Sequence, residues 1–382
     1  MMKRQTASER KVDVSCFVAE LMPGGAQRAA VKLVNRLAER NLLVDLVSAN
    51  QQGPQIDDVE ATVRVIDLGA GRVVKAIPAL SRYLRHQQPR TLVSFLTHAN
   101  LAAIAARAVS RVETRVMVVE QNTVSRVRSH LKRDALLPAL VRRSYPHADH
   151  VVAVSKGVAN DLIANLGIPG SRVSVIPNPV VDNDLVRSAL DSPHHPWFED
   201  NSAPVFVAAG RLSKQKDFPT LLRAFDLLRQ TKEARLMIMG EGEERPRLES
   251  IINQLGLIDH VALPGFVANP YAVMSRSAAF ILSSQWEGLP TVLIEAMACG
   301  CPIVATDCHS GPREILDGGR YGKLVPIGDA DAICRSMLEV LQQRPSALIL
   351  RQRALLYSVD HAVENYLRVL GLNDHEELAM PA

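Results

Sequence analysis

Short apolar runs alternate along this chain with stretches whose apolar residues recur at helical spacing. The run "VDVSCFV" at 12–18 is typical of a buried strand, and "AQRAAVKLVNRLAER" at 26–40 is typical of an amphipathic helix. Similar apolar runs follow at 42–48, 63–68, 91–96, 115–120, 150–155 and 172–177. Strands that alternate with helices predict a parallel sheet covered by helices on both faces.

The alternation stops at 177–204, where Pro, Asp and Asn are frequent, and this composition predicts a linker. It restarts with apolar runs at 205–210, 235–240, 260–265, 278–284, 302–306 and 322–326, and a helical pattern at 361–372 follows with no further strand. A chain of 382 residues is too long for one ordinary core. We therefore predict an α/β protein with two doubly wound domains and a cleft between them.

The predicted boundaries are an N-terminal domain at 1–180, a linker at 181–204, a C-terminal domain at 205–357, and a final helix and tail at 358–382. In doubly wound sheets, ligands bind beyond the carboxyl ends of the strands. The loops that follow the predicted strands are therefore the expected positions of functional residues.

Composition narrows the class of protein. The chain is 47% hydrophobic and 22% charged, no apolar run approaches the roughly 20 residues that span a bilayer, and the first residues contain no apolar segment of a signal peptide. The five cysteines form no pairing pattern, so we expect reduced thiols and a cytoplasmic location. Cys299 and Cys301 lack further ligands at metal-binding spacing and are interpreted as small core residues.

The charge is unevenly distributed. Residues 1–180 carry 25 Lys and Arg against 14 Asp and Glu, whereas residues 181–382 carry 19 against 26. A basic first half predicts attraction to phosphates, nucleic acid or an anionic membrane. Aromatic residues make up only 4% of the chain, too few for the stacking typical of single-strand binders, so no nucleic-acid partner is predicted.

The stretch "RVRSHLKRDALLPALVRR" at 126–143 contains six Arg or Lys and one Asp among apolar residues. It predicts a basic amphipathic helix with a kink before Pro138. Such a helix suggests docking to an anionic membrane through the cations Lys132, Arg133, Arg142 and Arg143. The alternative is a solvated helix face that packs on its own sheet.

The segment "SSQWEGLPTVLIEAMACGCPIVAT" at 283–306 predicts a strand end, a loop, a helix that begins near Pro290 and ends at Gly300, and a further strand. Glu287 lies in the loop and Glu295 lies more than one turn into the helix. Two acceptors spaced in this way suit an extended polyhydroxy ligand such as a sugar nucleotide. The alternative is that Glu287 caps the helix and Glu295 is a paired buried acid.

The start of this helix is itself a candidate anion site. Backbone N–H groups at 288–292 would point away from the helix with its dipole behind them, and Gly288 permits close approach of a ligand.

A second cationic loop follows the strand at 205–210. Arg211 and Lys216 precede a helix that Asp217 is expected to cap, with Pro219 near its start. Two cations at the carboxyl end of a strand suit a diphosphate. The alternative is that both are solvated surface charges.

Three weaker signals lie in the first half. Gly24 and Gly25 separate the first strand and helix, where backbone amides could meet a phosphate, or where they form a plain tight turn. The pattern is not G-x-G-x-x-G, which argues against a dehydrogenase. His98 and Glu120 follow strand ends; a lone histidine is more often structural than catalytic.

Several of these stretches together resemble the family 4 retaining glycosyltransferases of GT-B fold. They are the two acids separated by seven residues, "GRLSKQKDF" at 210–218, "GGAQR" at 24–28, "VSKGV" at 154–158 and "IPNPV" at 176–180. The motifs occur in the family's order over nearly the whole chain. The resemblance implies two Rossmann-like domains, an N-terminal one for the acceptor, a C-terminal one for a nucleotide-sugar donor, and a last helix that crosses back.

The resemblance also implies residue roles. Arg211 and Lys216 would neutralise the donor diphosphate, Glu287 would contact the sugar hydroxyls, and Glu295 would hold the ribose. Gly25 would lie near the phosphates and His98 near the sugar and acceptor. The remaining donor contacts would come from the helix start at Gly288, Leu289, Pro290 and Thr291. No metal and no cofactor is implied, and no D-x-D stands at a strand end.

We therefore expect an enzyme that moves a hexose or N-acetylhexosamine from a UDP-linked donor to a glycan or polyprenyl-linked acceptor with retention, at the inner face of the cytoplasmic membrane. "CHSGPREILDGGRYG" at 308–322 resembles members that build surface polysaccharides. One alternative is an inverting GT-B transferase, which needs a positioned base such as His98 or Glu120. Another is a non-catalytic, two-lobed sugar-binding protein, a class that is usually exported.

Overall fold

The computed structural model describes residues 11–22, 24–50, 53–126, 136–199 and 202–372. The chain forms two compact units. The first comprises Met1–Pro179 and Val359–Ala382, and the second comprises Val180–Ser358.

The first unit contains a parallel sheet of seven strands. The strands are β1 (Val14–Val18), β2 (Val44–Ser48), β3 (Arg64–Asp67), β4 (Thr91–Phe95), β5 (Arg115–Glu120), β6 (His150–Ala153) and β7 (Val173–Val175). Their order is β3-β2-β1-β4-β5-β6-β7, and the chain reverses its direction across the sheet between β1 and β4. All residues of β1, β2 and β4 are buried, as expected where helices cover both faces.

The helices of the first unit are α1 (Gly25–Glu39), α2 (Ile77–Gln87), α3 (Thr97–Ser110), α4 (Leu137–Ser144), α5 (Lys156–Asn160) and α14 (Val359–Leu370). In α1, the apolar residues Leu33, Val34 and Leu37 recur at helical spacing and are fully buried. The last helix, α14, packs on α1, and Arg36 Nε donates to Asp360 Oδ1 at 2.7 Å. The C-terminal helix thus belongs to the N-terminal unit.

The second unit contains a parallel sheet of six strands. The strands are β8 (Val205–Ala209), β9 (Arg235–Met239), β10 (Val261–Gly265), β11 (Ala279–Leu282), β12 (Ile303–Thr306) and β13 (Lys323–Val325). Their order is β10-β9-β8-β11-β12-β13, so the direction across the sheet reverses between β8 and β11. The register pairs Phe206 with Ala279, and both residues are fully buried.

The helices of the second unit are α6 (Asn183–Ser188), α7 (Phe218–Arg229), α8 (Arg245–Gln254), α9 (Pro270–Arg276), α10 (Thr291–Ala298), α11 (Pro312–Ile315), α12 (Ala330–Gln342) and α13 (Ala347–Ala354). The α/β class with two doubly wound parallel sheets is therefore confirmed. Within the described residues, no helix combines the length and the apolar character that crossing a bilayer requires.

The structure places the segment predicted as a linker, 181–204, within the second unit. It begins with α6, whose N-cap Asp182 accepts a hydrogen bond from the Leu185 N–H at 2.8 Å. The two ends of the unit meet, because the Val180 N–H donates to the Tyr357 carbonyl at 3.0 Å. The Pro and Asp residues that suggest a linker thus serve as turn and cap residues of a folded segment.

Candidate functional site

The loops that follow β8 and β11 lie side by side at the carboxyl edge of the second sheet. These two strands flank the point where the strand order reverses, which is where doubly wound sheets bind their ligands. The Gln285 N–H donates to the Gln215 carbonyl at 2.8 Å, and Ser283 Oγ donates to the Lys216 carbonyl at 2.7 Å. The two loops that carry the candidate cations and the first candidate acid are therefore joined.

A buried ion pair lies at the centre of this edge. Lys216 Nζ is 2.6 Å from Glu287 Oε1, and the two side chains are 14% and 7% exposed. Ser284 Oγ donates to the same oxygen at 2.6 Å. A charge this buried is costly without a partner, so the lysine and the serine stabilise the carboxylate in place.

Glu287 does not cap the helix that follows. The N-cap position of α10 is Pro290, which has no side-chain acceptor, and the Glu287 carboxylate faces Lys216 instead. The helix ends at Ala298 with Cys299 as its C-cap, and Gly300 follows with φ +74°, which confirms the predicted glycine stop.

Glycine at 210 makes room for the lysine. Its φ is +150°, and a Cβ there would lie 3.0 Å from Lys216 Cε. A Cβ on Gly240, at the end of β9, would lie 2.1 Å from the Gly210 carbonyl oxygen. The strand ends thus approach closely enough for the Lys216 stem to cross Gly210 only because both positions lack a side chain.

Arg211 is not part of the buried pair. Its side chain is 77% exposed, and its Nε lies 3.3 Å from Glu243 Oε2, which is also exposed. An exposed pair of this kind contributes little stability. Arg211 therefore lies on the same loop as Lys216 with a solvated partner that a stronger anion could replace.

The start of α10 is enclosed by a neighbouring loop. Ser310 Oγ donates to the Gly288 carbonyl at 2.9 Å. Gly311 has φ +92°, and a Cβ there would lie 2.4 Å from Pro290 Cδ. Leu289 is buried, and Thr291 is the first residue of the helix. The loop therefore fixes the backbone of 288–290 at the point where the sequence predicts an anion site.

The same loop carries Cys308, which is buried beside the ion pair. Burial, together with the nearby Glu287 carboxylate, raises the pKa of the Cys308 thiol to about 12. The group is therefore a neutral thiol at physiological pH and is not a nucleophile.

Glu295 lies in the middle of α10 and is 4% exposed, with buried Ile294 and Ala296 on either side. The structure does not bring Glu295 into the hydrogen bonds of the Lys216–Glu287 pair that are described above. Its role as a ribose ligand stays a prediction.

Asp217 differs from its predicted role as a helix cap. It occupies the N-cap position of α7, but with φ +48° its carboxylate accepts no backbone hydrogen bond of the helix. Instead, Asp217 Oδ2 accepts from Thr220 Oγ1 at 2.9 Å. The left-handed backbone at this residue turns the chain sharply between Lys216 and the helix.

In the first unit, Gly25 and His98 follow β1 and β4, the strands at the reversal point of that sheet. Gly25 is the first residue of α1, and His98 is the second residue of α3; both are exposed. Leu96, which precedes α3, has φ +76°, a strained value for a non-glycine residue. Strain of this kind is frequent where a functional side chain must be held in place.

Glu120 is fully buried and cannot meet a substrate directly. Its carboxylate accepts from Tyr145 Oη at 2.6 Å, from Thr97 Oγ1 at 2.9 Å and from the Gln121 N–H at 3.0 Å. Burial raises its pKa above the usual range, against the lowering effect of these hydrogen bonds. Glu120 thus anchors the start of α3 at Thr97, next to His98, and is not an accessible base.

The basic stretch is only partly described. Lys132 and Arg133 lie outside the described residues, whereas Arg142 and Arg143 are exposed in the last turn of α4. Helix α4 begins at Leu137 with Pro138 in its first turn, and residues 127–135, on which the predicted helix and its kink depend, lie outside the described residues.

A groove of about 620 Å³ lies between α3 and α4. Its apolar floor includes Leu101 and Ile104, and its rim carries the cationic residues Arg107, Arg111 and Arg143, with His147 beside them. No acidic residue is among those that line it.

All five cysteines are free and buried. Burial raises the pKa of Cys301 to about 12, as expected for a small core residue. Among the described residues, no group of three or more His, Cys, Asp or Glu could hold a metal ion.

The residues that support the candidate side chains are not among those predicted from the sequence. Ser284 and Gln215 contact Glu287, and Tyr145 and Thr97 contact Glu120. Serine at the end of a buried strand was an available signal for Ser284, since a buried hydroxyl needs a partner. Nothing local marks Tyr145, which lies 25 positions from Glu120 in the chain.

Two family models match the chain. The model described as "Glycosyltransferase Family 4" matches residues 23–184, and the model described as "Glycosyl transferases group 1" matches residues 194–355. The two matches fall on the two sheets in order, and together they include Gly25, Lys216 and both candidate acids.

Individual proteins are similar to the chain over part of its length. The N-acetylgalactosamine-N,N'-diacetylbacillosaminyl-diphospho-undecaprenol 4-alpha-N-acetylgalactosaminyltransferase of Campylobacter jejuni is 30% identical over 65% of this chain and 66% of its own length. The lipopolysaccharide 1,6-galactosyltransferase of Escherichia coli is 28% identical over 69% of each. The aligned segments thus span about two-thirds of these relatives.

Solved structures share the fold. The crystal structure of Anabaena HepE in complex with UDP and glucose superposes with a TM-score of 0.78, covers 94% of this chain and 99% of that one, and is 17% identical. At this identity the similarity establishes the fold, which is that of the GT-B glycosyltransferases.

Proposed function

Since the chain belongs to the family 4 glycosyltransferases of GT-B fold, we propose that it transfers a hexose or N-acetylhexosamine from a nucleotide sugar to a lipid-linked or polysaccharide acceptor. One observation carries this proposal. A cation and a carboxylate, Lys216 and Glu287, are held 2.6 Å apart beside a helix start at the reversal point of the second sheet. A sugar diphosphate needs these two kinds of partner next to each other.

The proposed donor position follows from the chemistry of the side chains. The ammonium group of Lys216 and the exposed guanidinium of Arg211 suit the two phosphates, and the N–H groups at the start of α10 (residues 291–298) add to this positive end. The ionised carboxylate of Glu287 can only accept hydrogen bonds, and the hydroxyl groups of a hexose can donate them. Glu295 would take the ribose in the same way.

The donor is proposed to be UDP-linked. Support comes from the solved Anabaena protein, which holds UDP and glucose in the same fold. The lipid-linked acceptor is supported by the Campylobacter relative, whose name specifies a diphospho-undecaprenol acceptor.

Charge development explains how these residues would accelerate transfer. When the anomeric C–O bond breaks, the sugar becomes oxocarbenium-like and the diphosphate more negative. Lys216, Arg211 and the α10 N-terminus would stabilise that negative charge, and removal of one such group typically costs about 10²–10³ in rate. We therefore also propose that the transfer proceeds without a metal ion.

Retention of configuration is also proposed. An inverting transferase needs an accessible base. Of the two candidate bases, Glu120 is fully buried with its oxygens already hydrogen-bonded, which favours a mechanism in which the departing phosphate takes the acceptor proton on the same face. His98 is exposed at the start of α3 (residues 97–110) and would contact the sugar or acceptor, and Gly25 would contact the phosphates.

A donor screen tests the function. The purified full chain is incubated with UDP-, GDP- and ADP-sugars, with and without a polyprenyl diphosphate-linked acceptor, and free nucleotide and product anomericity are measured. We expect UDP release that depends on the acceptor and a product that keeps the donor configuration. Inverted product would refute retention, and binding of UDP-sugars without turnover by any acceptor would favour the sugar-binding alternative.

For the acceptor side, we propose peripheral contact with an anionic membrane on its cytoplasmic face. The groove between α3 and α4 (residues 137–144) combines an apolar floor with a cationic rim, which suits a phosphate attached to an apolar chain. Arg142 and Arg143 extend the cationic surface. Each basic residue near an anionic surface contributes about 1 kcal/mol to binding.

Vesicle sedimentation tests this contact. Reversal of Arg142 and Arg143 to Glu is expected to lower partitioning onto phosphatidylglycerol vesicles by at least about 30-fold, since two contributions of about 1 kcal/mol are lost. Reversal of Arg82 and Arg85, exposed in α2 (residues 77–87) of the same unit, is the matched control. Equal losses in both variants would reduce the effect to net charge and refute a specific surface.

A further inference from the structure

The Lys216–Glu287 pair joins two residues that serve different parts of the donor in the proposed function, on which this inference rests. Lys216 Nζ lies 2.6 Å from Glu287 Oε1, and the two side chains are 14% and 7% exposed. Charges this close and this shielded from water interact strongly. A diphosphate that approaches Lys216 therefore has to compete with the Glu287 carboxylate, which is already paired with the ammonium group.

The carboxylate keeps its position independently of the lysine. Ser284 Oγ donates to Glu287 Oε1 at 2.6 Å, and Gln215 Nε2 lies 3.5 Å from Oε2. Ser284 is itself fully buried, and its carbonyl accepts from Thr306 Oγ1 at 2.6 Å. Glu287 thus cannot swing into solvent when an anion approaches, and it stays as a competing negative charge.

We propose that Glu287 is an internal competitor for Lys216 that makes the site select intact nucleotide sugars over free nucleoside diphosphates. A nucleotide sugar draws Lys216 to its diphosphate and offers sugar hydroxyls to Glu287, so both charged groups keep partners. A free nucleoside diphosphate offers no hydroxyl at that position and leaves a buried carboxylate with one partner fewer. The product nucleotide is therefore held weakly, and its release is favoured.

The affinity of the full chain for UDP, measured by titration calorimetry, tests this role. Glu287→Gln removes the charge and keeps the shape, and we expect it to bind UDP at least about fivefold more tightly than the wild type, the lower end of typical coupling between sites. Turnover of the nucleotide sugar should fall at least about tenfold in the same variant. Unchanged or weaker UDP binding by Glu287→Gln overturns the inference.

A matched control removes an identical charge elsewhere in the same unit. Glu339 Oε2 lies 2.7 Å from Lys323 Nζ, and both side chains are about half exposed. Glu339→Gln should leave the Kd for UDP unchanged. If it tightens UDP as much as Glu287→Gln does, the effect is one of net charge and the inference fails.

The lysine background separates competition from simple repulsion. In Lys216→Ala, the further change Glu287→Gln should leave UDP affinity unchanged, because the competitor acts through the missing ammonium group. Equal tightening in both backgrounds would mean repulsion through space and would overturn the inference. Glu287→Asp, which withdraws the carboxylate by one methylene, should shift UDP affinity in the same direction as Glu287→Gln and serves if that variant does not fold.

The same measurements keep the two proposals distinct. If Lys216→Ala does not weaken UDP binding, or if UDP does not bind the wild type, the proposed donor site is wrong and the inference falls with it. If Lys216→Ala weakens UDP while Glu287→Gln does not tighten it, the donor site stands and only the competitor role is refuted.

Discussion

Lys216→Ala should damage stability and activity by separable mechanisms. The substitution leaves Glu287, only 7% exposed, as a buried carboxylate without its cation. Removal of one partner of a buried ion pair costs about 3–5 kcal/mol. Lys216 is itself 14% exposed, so water can relieve part of the loss, and we expect the lower end, about 3 kcal/mol.

This loss is large enough to measure. For a domain of this size, a loss of 1 kcal/mol lowers Tm by about 2–4 °C, so the transition of the second unit should fall by about 6–12 °C in calorimetry. The double variant Lys216→Ala/Glu287→Ala removes both charges and should recover most of that stability. Turnover should stay at least tenfold, and up to about 10³-fold, below wild type in both variants.

The combination of the two readouts makes the prediction refutable. A double variant as unstable as Lys216→Ala would show that the buried charge is not the cause of the loss. A double variant that regains activity together with stability would show that Lys216 and Glu287 act only in folding, which would remove the proposed donor site. Lys323→Ala/Glu339→Ala, from the exposed pair, is the control and should change neither readout.

Three further predictions concern other parts of the molecule. Burial raises the pKa of Glu120 in the folded protein, so the folded state binds more protons than the unfolded state between the ordinary pKa of about 4.5 and the raised pKa. The free energy of unfolding should therefore fall as the pH rises through this range. In Glu120→Gln this part of the pH dependence of Tm should disappear, and an unchanged profile would contradict the prediction. Gly240→Ala places a Cβ 2.1 Å from the Gly210 carbonyl oxygen and should lower Tm. Gly256→Ala is the control, because Gly256 also has a positive φ but a Cβ there would meet nothing within 4 Å, so that only backbone strain should lower Tm. An equal decrease of Tm in both variants would refute the close approach of Gly240 to Gly210. The buried thiols of Cys301 and Cys308 should react with a thiol reagent at pH 8 only at the rate of unfolding, and rapid labelling of the native protein would contradict their burial.

The sequence by itself determined the elements and the class of fold. Apolar runs bounded by turn residues predict each strand within one or two residues, as at 115–120, where prediction and structure coincide in β5. Local patterns suffice here because a strand buried on both faces has to be apolar along its length. The sequence also predicts the helix end at Gly300 from a single residue, since few residues other than glycine adopt the positive φ that is required there.

The sequence also identified the candidate residues, but it did not show which of them are in contact. Lys216 and Glu287 are 71 positions apart, and they meet because the strand order sets β8 beside β11 and places β9 and β10 on the other side. No local pattern encodes that order, because side-chain periodicity reports which face is buried and not which strand is the neighbour. The ion pair, and with it the inference about nucleotide selection, therefore came only from the tertiary structure.

Burial of polar groups was decided in the same way. Glu120 and His98 both lie near strand ends in the sequence, yet Glu120 is the last residue of β5 and is enclosed by Tyr145 and Thr97, while His98 follows β4 and is exposed. The segment at 181–204 has the composition of a linker, yet it folds on the second unit because Asp182 caps a helix and Val180 reaches Tyr357. The Asp182 cap is local, but the partners of Glu120 and Val180, Tyr145 and Tyr357, are distant in the chain, and only packing shows whether a polar group finds such a partner.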